Sequence, residues 1–264
     1  MLRQAMIFAA GFGTRLQPLT NTIPKALVPV GGKPMLQHTI EQLKAQGITS
    51  VIINIHYLGE KILDFLDQHK NFGIDIQISD ERERILETGG GLLKAKEFIN
   101  EDDFLVCNAD VFTNINIQQF AEYHFKHKAV ATLAVRVRKS SRVLLFDATM
   151  QLCGWRNFKN EEIKYPLVLG DSAAHYYDDN NPVFDDEKYA TIKNSQAFAF
   201  SGYQVISKEI FNHKTRKGIF SMTDWYLDIC AAQKIIGYDH SLDIWIDIGS
   251  PEQLERANEI VRIV

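Results

Sequence analysis

The sequence predicts an α/β fold with three layers, in which helices cover both faces of a mixed, mostly parallel sheet. In residues 1–137, short apolar or β-branched runs alternate with amphipathic helical patterns, which favours parallel strands joined by helices. The chain has 264 residues, enough to bury a full core. Its composition, 45% hydrophobic and 23% charged residues, is ordinary for a globular protein.

The predicted elements of the first half begin with a strand at residues 6–9, which a glycine-containing turn at 10–15 ends. A helix is predicted at 35–46, because Leu36, Ile40 and Leu43 share one face and Gly47 follows them. Further strands are predicted at 50–55, 74–78, 104–107 and 130–137. Further helices are predicted at 59–69, 87–98 and 117–126.

The second half is less regular. Residues 156–194 are polar, which predicts a long loop or lid, with a small subdomain as the alternative. Ser250 and Pro251 are typical of an N-cap and a first helical position, so a last helix is expected from Pro251 to the C-terminus. The other predicted elements are a hairpin at 143–147 and 152–155, strands at 197–206, 235–240 and 244–248, and helices at 207–211 and 222–233.

Charge and cysteine content restrict the function classes. A net charge of −4 argues against a general nucleic-acid binder, which is usually basic. Cys107, Cys153 and Cys230 lie far apart without a CxxC pair, which fits a reducing compartment and gives no structural zinc site. The sequence shows neither a signal-peptide pattern nor an apolar run of membrane-spanning length. We therefore expect a cytoplasmic protein without a nucleic-acid or membrane partner.

The loop after the first strand is a candidate phosphate site. The first forty residues contain no Asp or Glu but four cations, Arg3, Arg15, Lys25 and Lys33. Glycine turns and cations at this place in an α/β protein are suited to holding phosphates. The loop has neither P-loop spacing nor the third glycine and following acid of a dinucleotide-binding motif. The alternative is an ordinary solvated loop that lacks acids by chance.

Six segments form a more specific pattern. They are residues 11–20 (GFGTRLQPLT), 24–30 (PKALVPV), 33–34 (KP), 87–91 (ETGGG), 108–110 (NAD) and 245–249 (WIDIG). Together they resemble the signature of the sugar-1-phosphate nucleotidylyltransferases over almost the whole chain, apart from residues 156–194. Within that family the chain resembles most closely the N-acetylmuramate-1-phosphate uridylyltransferases of cell-wall recycling. The mannose-1-phosphate guanylyltransferases remain an alternative.

The resemblance implies a Rossmann-like nucleotide-sugar transferase fold in a single domain, residues 1–264. Residues 1–137 would form the nucleotide-binding half and residues 138–264 the sugar-phosphate-binding half, with an insertion near 156–194. It also implies that a nucleoside triphosphate and a sugar 1-phosphate react to give a nucleotide sugar and pyrophosphate, with Mg²⁺. The oligomeric state stays open.

Two cations are the candidate catalytic residues. The implied reaction is an in-line attack on the α-phosphorus, so catalysis consists of positioning anions and neutralising their charge. The forked guanidinium of Arg15 suits the β- and γ-phosphates and the leaving pyrophosphate. Lys25 would hold the α-phosphate and the attacking phosphate together; its alternative is a surface lysine in a loop.

Asp110 and Asp247 are the candidate magnesium ligands. Mg²⁺ prefers oxygen ligands, commonly one or two carboxylates with phosphates and water. Each Asp ends a predicted strand, so both could reach the same edge of the sheet. The alternative is that each caps a turn or helix.

The remaining candidates contact nucleotide or sugar. Gly89 and Gly90, with Gly91, offer unhindered backbone at a helix start, although a plain helix entry is the alternative. Gly202 matches a family glycine that lets the sugar approach the sheet. The nucleotide-binding candidates are Ala10, Gly11, Gly13, Thr14, Glu87, Thr88, Gly89 and Gly90, and the sugar-binding candidates are Asn108 and Gly202.

The sequence departs from the family pattern at three points. Ala26 replaces a usual second proline and Ala109 a common glycine, but both are small. The family's sugar-phosphate cation in the second half is not identifiable; Lys164 and Lys193 are the candidates.

Three other functions stay open. A nucleotide-sugar sensor would keep the fold without needing the whole charged set. A glycosyltransferase would be expected to carry a DxD-type pair, but Phe112 lies two residues after Asp110. A cytidylyltransferase for a small phosphorylated alcohol would share the loop and differ only in substrate.

Overall fold

The computed structural model describes residues 1–166, 194–213 and 216–262. The strands are β1 (Gln4–Phe8), β2 (Pro29–Val30), β3 (Lys33–Pro34), β4 (Ser50–Ile55), β5 (Asp75–Asp80), β6 (Asp103–Asn108), β7 (Val111–Thr113), β8 (Ala131–Arg136), β9 (Arg142–Phe146), β10 (Leu152–Asn157), β11 (Glu162–Lys164), β12 (Gln196–Ser207), β13 (Ile235–Asp239) and β14 (Trp245–Asp247). The α-helices are α1 (Met35–Ala45), α2 (Gly59–Gln68), α3 (Glu87–Lys94), α4 (Ile117–His127), α5 (Met222–Ile229) and α6 (Pro251–Val261).

A mixed sheet forms the middle layer. Its order is β11-β10-β9-β12-β6-β1-β4-β5, and β8 and β13 extend it from β12. β1 pairs in parallel with β4 and β6, and β4 with β5. The register places Phe8 at the end of β1 beside Asn54 and Asn108. The carboxyl ends of these strands therefore meet at one edge, where open α/β sheets bind ligands.

β12 joins this parallel part to the second half. It runs antiparallel to β6, β8 and β9. Its register with β8 shifts between Phe200 and Gln204, and Gly202 lies in that irregularity with a φ of 83°, a left-handed conformation that favours glycine. Near it, β7 and β14 form a small antiparallel ribbon in which Asp247 lies opposite Val111.

Helices cover both faces of the sheet, because side chains alternate along each strand. Met6 of β1 packs in one core with Leu92 of α3 and Trp225 of α5. Its neighbour Ile7 packs in a second core with Leu36 of α1. The predicted three-layer α/β/α arrangement is confirmed.

A third, smaller core joins the two ends of the chain. Leu16 and Val28 from the loop after β1 pack with Ile248 and with Ala257 of α6. All four side chains are buried. This packing holds the candidate phosphate loop against α6, so residues far apart in the sequence can shape one site.

Most predicted elements are present with small shifts of their ends. The strand predicted at 50–55 is β4 unchanged. Ser250 caps α6, since its side-chain oxygen accepts from the Gln253 N–H, and Pro251 is the first helical residue. The helix predicted at 207–211 is the 3₁₀ helix Lys208–Asn212. Helix α5 ends at Ile229, short of the predicted residue 233.

The prediction of a loop or lid over residues 156–194 is wrong at its start. β10 runs to Asn157, and β11 pairs back onto it with Trp155 opposite Lys164. Residues 158–161 form the turn of this hairpin, and three of them, Lys159, Asn160 and Glu161, are polar, so polarity here marks a tight turn and not a long loop. Residues 167–193, the rest of the predicted segment, lie outside the described residues. Within the described ranges, every helix is too short or too polar to cross a lipid bilayer.

Candidate active site

A cleft of about 430 Å³ lies at the carboxyl edge of the parallel strands. Ten of the candidate residues lie in its wall: Ala10, Gly11, Gly13, Thr14, Arg15, Lys25, Glu87, Thr88, Asn108 and Asp110. The wall also contains Phe8, Ala9, Phe12, Ala26, Asn54, Glu81, Ile85, Ala109 and Gly249. Gly89, Gly90, Gly202 and Asp247 are not part of that wall.

The loop after β1 is held in place from both ends. The Ala9 N–H donates to Asn54 Oδ1 at 2.7 Å, and the Thr20 hydroxyl donates to the Gly13 carbonyl oxygen at 2.8 Å. Gly13 has a φ of 67°, and a Cβ there would lie 2.9 Å from Thr20 Cγ2, so the turn requires glycine. A Cβ at Gly11 would meet nothing within 4 Å. The cleft side of the loop is therefore open backbone.

Lys25 and Asp110 form an ion pair in the cleft. Pro24 precedes Lys25 in an extended conformation, and Lys25 begins the 3₁₀ turn Lys25–Leu27. Asp110 follows β6, where the Ala109 N–H donates to the Phe8 carbonyl oxygen at 3.0 Å. The side chain of Lys25 is 14% exposed and that of Asp110 is 25% exposed. Both groups are thus shielded from bulk solvent yet reachable from the cleft.

Backbone pairing brings Asp247 beside Asp110. Asp247 ends β14 opposite Val111 of β7, and the Ile248 N–H donates to the Asp110 carbonyl oxygen at 2.9 Å. The side-chain amide of Gln253, in the first turn of α6, donates to Asp247 Oδ1. Strand pairing and α6 therefore fix the position of this second carboxylate.

The charges of the site act on one another. Burial raises the pKa of Asp247 and the charge of Asp110 raises it further, while Arg138, Lys25 and Arg15 act in the opposite direction. Arg15 lies against Gly249, since a Cβ there would be 2.9 Å from a guanidinium nitrogen. The structure thus brings together the two candidate cations and the two candidate carboxylates.

The carboxylate pair fits a magnesium ion. Burial is the main cause of the raised Asp247 pKa, and a divalent cation would relieve the repulsion from Asp110 that raises this pKa further. Within the described ranges, no group of three or more His, Cys, Asp or Glu side chains is arranged to hold a metal. Substrate phosphates and water would therefore have to complete the coordination of Mg²⁺, which is the common arrangement for this ion.

The glycine run at the start of α3 lies behind the wall of the cleft. The N–H groups of Gly89 and Gly90 donate to the Phe220 carbonyl oxygen at 2.9 and 3.2 Å. A Cβ at Gly89 would lie 2.5 Å from the Phe220 ring, and one at Gly90 would lie 2.6 Å from the Gly218 carbonyl oxygen. Both glycines serve the close packing of α3 against residues 218–220, and their N–H groups already have an acceptor.

Of the other nucleotide-binding and sugar-binding candidates, some line the cleft and one lies behind its wall. Glu87 and Thr88 line the cleft, and Thr88 Oγ1 also accepts from the Met222 N–H at 2.9 Å. Asn108 lines the cleft, whereas Gly202 lies behind it, because a Cβ at Gly202 would be 3.0 Å from Asn108 Nδ2. Gly202 therefore leaves room for the Asn108 side chain.

Sequence reasoning missed a buried pair in the wall of the cleft, Asn54 and Glu81. Glu81 is fully buried, and burial raises its pKa. Asn54 Nδ2 donates to Glu81 Oε1 at 2.8 Å, and the Leu86 N–H donates to Oε2 at 3.1 Å. A Cβ at Gly91 would lie 2.7 Å from Glu81 Oε1. The available signal was a polar Asn54 within the apolar run of β4.

Of the two lysines considered for the sugar phosphate, Lys164 is not favoured by the structure. Lys164 forms ion pairs with Asp224 at 3.0 Å and Glu162 at 3.8 Å, and its Nζ lies 5.1 Å from the centre of the Trp155 ring. Its charge is already neutralised by Asp224 of α5 and Glu162 of the hairpin. Lys193 lies outside the described residues.

Comparison with known proteins gives three findings. The sequence profile of a family described as Nucleotidyl transferase matches residues 4–144. The chain is 27% identical over 258 residues to an N-acetylmuramate alpha-1-phosphate uridylyltransferase of Neisseria meningitidis serogroup B. This alignment covers 97% of each of the two chains. It is 38% identical over 143 residues to a mannose-1-phosphate guanyltransferase of Yarrowia lipolytica, which covers 53% of this chain and 39% of that protein.

A solved structure shares the fold. HddC from Yersinia pseudotuberculosis aligns with a TM-score of 0.73 at 22% identity, over 98% of this chain and 100% of that one. The predicted Rossmann-like fold is thereby confirmed. The chain spans about two fifths of the length of the guanyltransferases that it matches.

Proposed function

Because the chain belongs to the nucleotidyl transferase family, we propose that it joins a nucleoside triphosphate to a sugar 1-phosphate and releases pyrophosphate. The observation that supports this most directly is the convergence of two cations and two carboxylates on one cleft. Arg15, Lys25 and Asp110 lie in its wall, and Asp247 interacts electrostatically with all three. Such a set suits a reaction between two anions.

The proposed chemistry is a displacement at the α-phosphorus. A phosphate oxygen of the sugar 1-phosphate forms the new bond, and the bond to the β-phosphate oxygen breaks as pyrophosphate leaves. The open backbone at Gly11 would cradle the triphosphate, and Arg15 would hold the leaving pyrophosphate. Lys25 would hold the α-phosphate and the attacking phosphate together. Asp110 and Asp247 would bind Mg²⁺, which neutralises charge on the phosphate oxygens.

For the substrates we propose UTP and N-acetylmuramate 1-phosphate, and hence a role in cell-wall recycling. The uridylyltransferase relative supports this choice because it matches almost the full length of both chains. Mannose 1-phosphate with GTP is the second candidate, favoured by the higher identity over the first half. A sensor that binds nucleotide sugars without turnover is less well supported, since binding alone does not require the whole charged set.

A panel assay tests the proposal. Four triphosphates (UTP, GTP, CTP and ATP) are each combined with Mg²⁺ and the 1-phosphates of N-acetylmuramate, mannose, glucose and a heptose, and pyrophosphate release is measured. We expect release with UTP and N-acetylmuramate 1-phosphate. Release only with GTP and mannose 1-phosphate would select the second candidate. If no combination releases pyrophosphate but the protein binds nucleotide sugars tightly, the sensor would be favoured.

A further inference from the structure

The peptide group between Phe8 and Ala9 lies where β1 leaves the sheet and the loop after it begins. Two neighbouring segments hold this group. On the β6 side, its carbonyl oxygen accepts from the Ala109 N–H at 3.0 Å. On the β4 side, its N–H donates to the side-chain oxygen of Asn54 at 2.7 Å. The first peptide of the loop therefore takes its orientation partly from one side chain of a neighbouring strand.

Glu81 fixes which way the Asn54 amide faces. The Asn54 side-chain nitrogen donates to Glu81 Oε1 at 2.8 Å, and the Leu86 N–H donates to Glu81 Oε2 at 3.1 Å. Both side chains are buried, so a partner lost here is not easily replaced by water. Three hydrogen bonds thus join the Ala9 N–H to the Leu86 N–H, and we call them the Asn54–Glu81 bridge.

The residue types of the bridge follow from its two ends. Both ends are backbone N–H groups, which can only donate. Between them the bridge needs one amide, which accepts and donates, and one carboxylate, which accepts at both oxygens. Two amides would bring two donors together, and two carboxylates would bring two acceptors together. Asn54 with Glu81 meets the requirement, and so would the reversed pair with the carboxylate in β4.

The far end of the bridge reaches the start of α3. The Leu86 carbonyl oxygen accepts from the Phe220 N–H at 3.3 Å, so the backbone of Leu86 is held on both sides. The next residue, Glu87, has a φ of 58°, a conformation that is uncommon outside glycine. Glu87 and Thr88 lie in the cleft wall. The bridge therefore connects two parts of that wall, the loop after β1 and the start of α3.

We propose that Asn54 and Glu81 are positioning residues, which hold the loop after β1 and the start of α3 in the arrangement that binds the triphosphate. This inference rests on the proposed function, in which the open backbone of the loop cradles the phosphates. The two side chains act through the backbone N–H groups that they hold. Without the bridge, the first peptide of the loop is free to turn, and the cradle loses its preorganised shape.

The test uses three variants of the pair and one control. Glu81→Gln and Asn54→Asp each bring two donors or two acceptors together. The double variant Asn54→Asp/Glu81→Gln exchanges the amide and the carboxylate and restores all three hydrogen bonds. Glu83→Gln removes the same charge as Glu81→Gln, but at an exposed position two residues away.

We expect each single substitution to raise KM for the triphosphate about 10- to 100-fold, since displacing a positioned group by about 1 Å can cost about 100-fold. KM for the sugar 1-phosphate should change less than about twofold, the usual coupling between separate sites. The double variant should recover most of the loss, because the hydrogen bonds are restored. Glu83→Gln should resemble wild type.

Three results would overturn the assignment. A lower melting temperature without a change in KM for the triphosphate would mean that the pair only stabilises the fold. Equal rises in both KM values would point to a general effect on the site. A double variant that is no better than the single variants would show that the bridge does not depend on the order of donors and acceptors.

Gly91→Ala decides if neither single variant folds, as judged by melting. It keeps both polar side chains and crowds them, because a Cβ at Gly91 would lie 2.7 Å from Glu81 Oε1 and 3.1 Å from Asn54 Nδ2. We expect this variant to raise KM for the triphosphate and not KM for the sugar 1-phosphate. A KM for the triphosphate equal to that of wild type would then contradict the proposal.

A binding measurement separates this inference from the proposed function. Calorimetric titration with UTP and Mg²⁺, or with GTP if the panel assay selects it, needs no sugar phosphate and no turnover. If wild type releases no pyrophosphate but binds the triphosphate more tightly than Glu81→Gln does, and the double variant restores binding, the reaction is wrong and the positioning role stands. If wild type is active and all variants bind the triphosphate equally, the reaction stands and the positioning role is wrong.

Discussion

At the scale of single residues, the Lys25–Asp110 ion pair is the feature most directly tied to chemistry. Each group neutralises the other when no ligand is bound, and each can exchange its partner for a phosphate or a metal ion. Because the pair is shielded from bulk solvent, its Coulomb energy is larger than that of a surface pair. The pair therefore places one positive and one negative group where the anionic substrates would meet.

We predict that Lys25→Ala lowers kcat about 10²- to 10³-fold, the usual effect of removing one preorganised electrostatic contact. Lys33→Ala is the matched control, since Lys33 pairs with Glu41 and is 39% exposed. Both variants should fold, as checked by circular dichroism and melting. A Lys25→Ala enzyme with near wild-type turnover would show that Lys25 is only a structural partner of Asp110.

Asp247→Asn should separate activity from stability. Asp247 is a mostly buried carboxylate near a second one, so its charge is unfavourable to the fold at neutral pH. The neutral amide keeps an oxygen for Gln253, so the melting temperature should stay equal or rise. Pyrophosphate release should fall by at least about tenfold. Asp239→Asn, at an exposed position, is the control, and a clear loss of stability in Asp247→Asn would contradict this account.

The sequence allowed some of these residues to be predicted and not others. Arg15 and Lys25 lie in a continuous motif, so their types and spacing were visible in the chain itself. Arg138 acquires its surroundings only when β8 and β14 bring it against Trp245 and near Asp247. That contact joins residues about a hundred positions apart, and no local pattern encodes it.

At the scale of elements, local patterns predicted the helices and strands well because caps and periodicity are local signals. Ser250 and Pro251 predicted the start of α6, but not that α6 packs on the loop after β1. The long strand β12 was also predicted, but not its three antiparallel partners. Pairing between distant strands depends on tertiary packing, which the sequence pattern does not display.

The roles of the glycines in the site also depend on tertiary packing, which the sequence pattern does not display. These roles can be tested. Gly11→Ala should leave the melting temperature unchanged, because its Cβ meets nothing within 4 Å, yet lower activity because a methyl group would enter the phosphate cradle. Gly89→Ala should cost about 1–3 kcal/mol of stability through overpacking against Phe220. The melting temperature and the rate of pyrophosphate release are measured for both variants. A lower melting temperature for Gly11→Ala than for Gly89→Ala would contradict this division.

At the scale of the whole molecule, the cleft collects residues from separated stretches of the chain. Its wall contains residues of the loop after β1, four residues of the segment 81–88, residues 108–110 and Gly249. Leu16 and Val28 of that loop share a buried core with α6. A ligand in the cleft would therefore contact both ends of the chain at once, and its binding should stabilise the whole fold and not one segment.

Triphosphate binding should accordingly raise the melting temperature in a magnesium-dependent way. At a ligand concentration of about 100 Kd, linkage gives about 2.7 kcal/mol, which for a chain of this size corresponds to about 5–10 °C. Chelation of Mg²⁺ should remove most of the shift, because the triphosphate would then face Asp110 and Asp247 without a bridging cation. The magnesium-dependent part of the rise in melting temperature should be smaller for Asp247→Asn than for wild type. For Asp239→Asn the rise should equal that of wild type. A shift that is equally large with a chelator present would mean that the two carboxylates do not bind the metal.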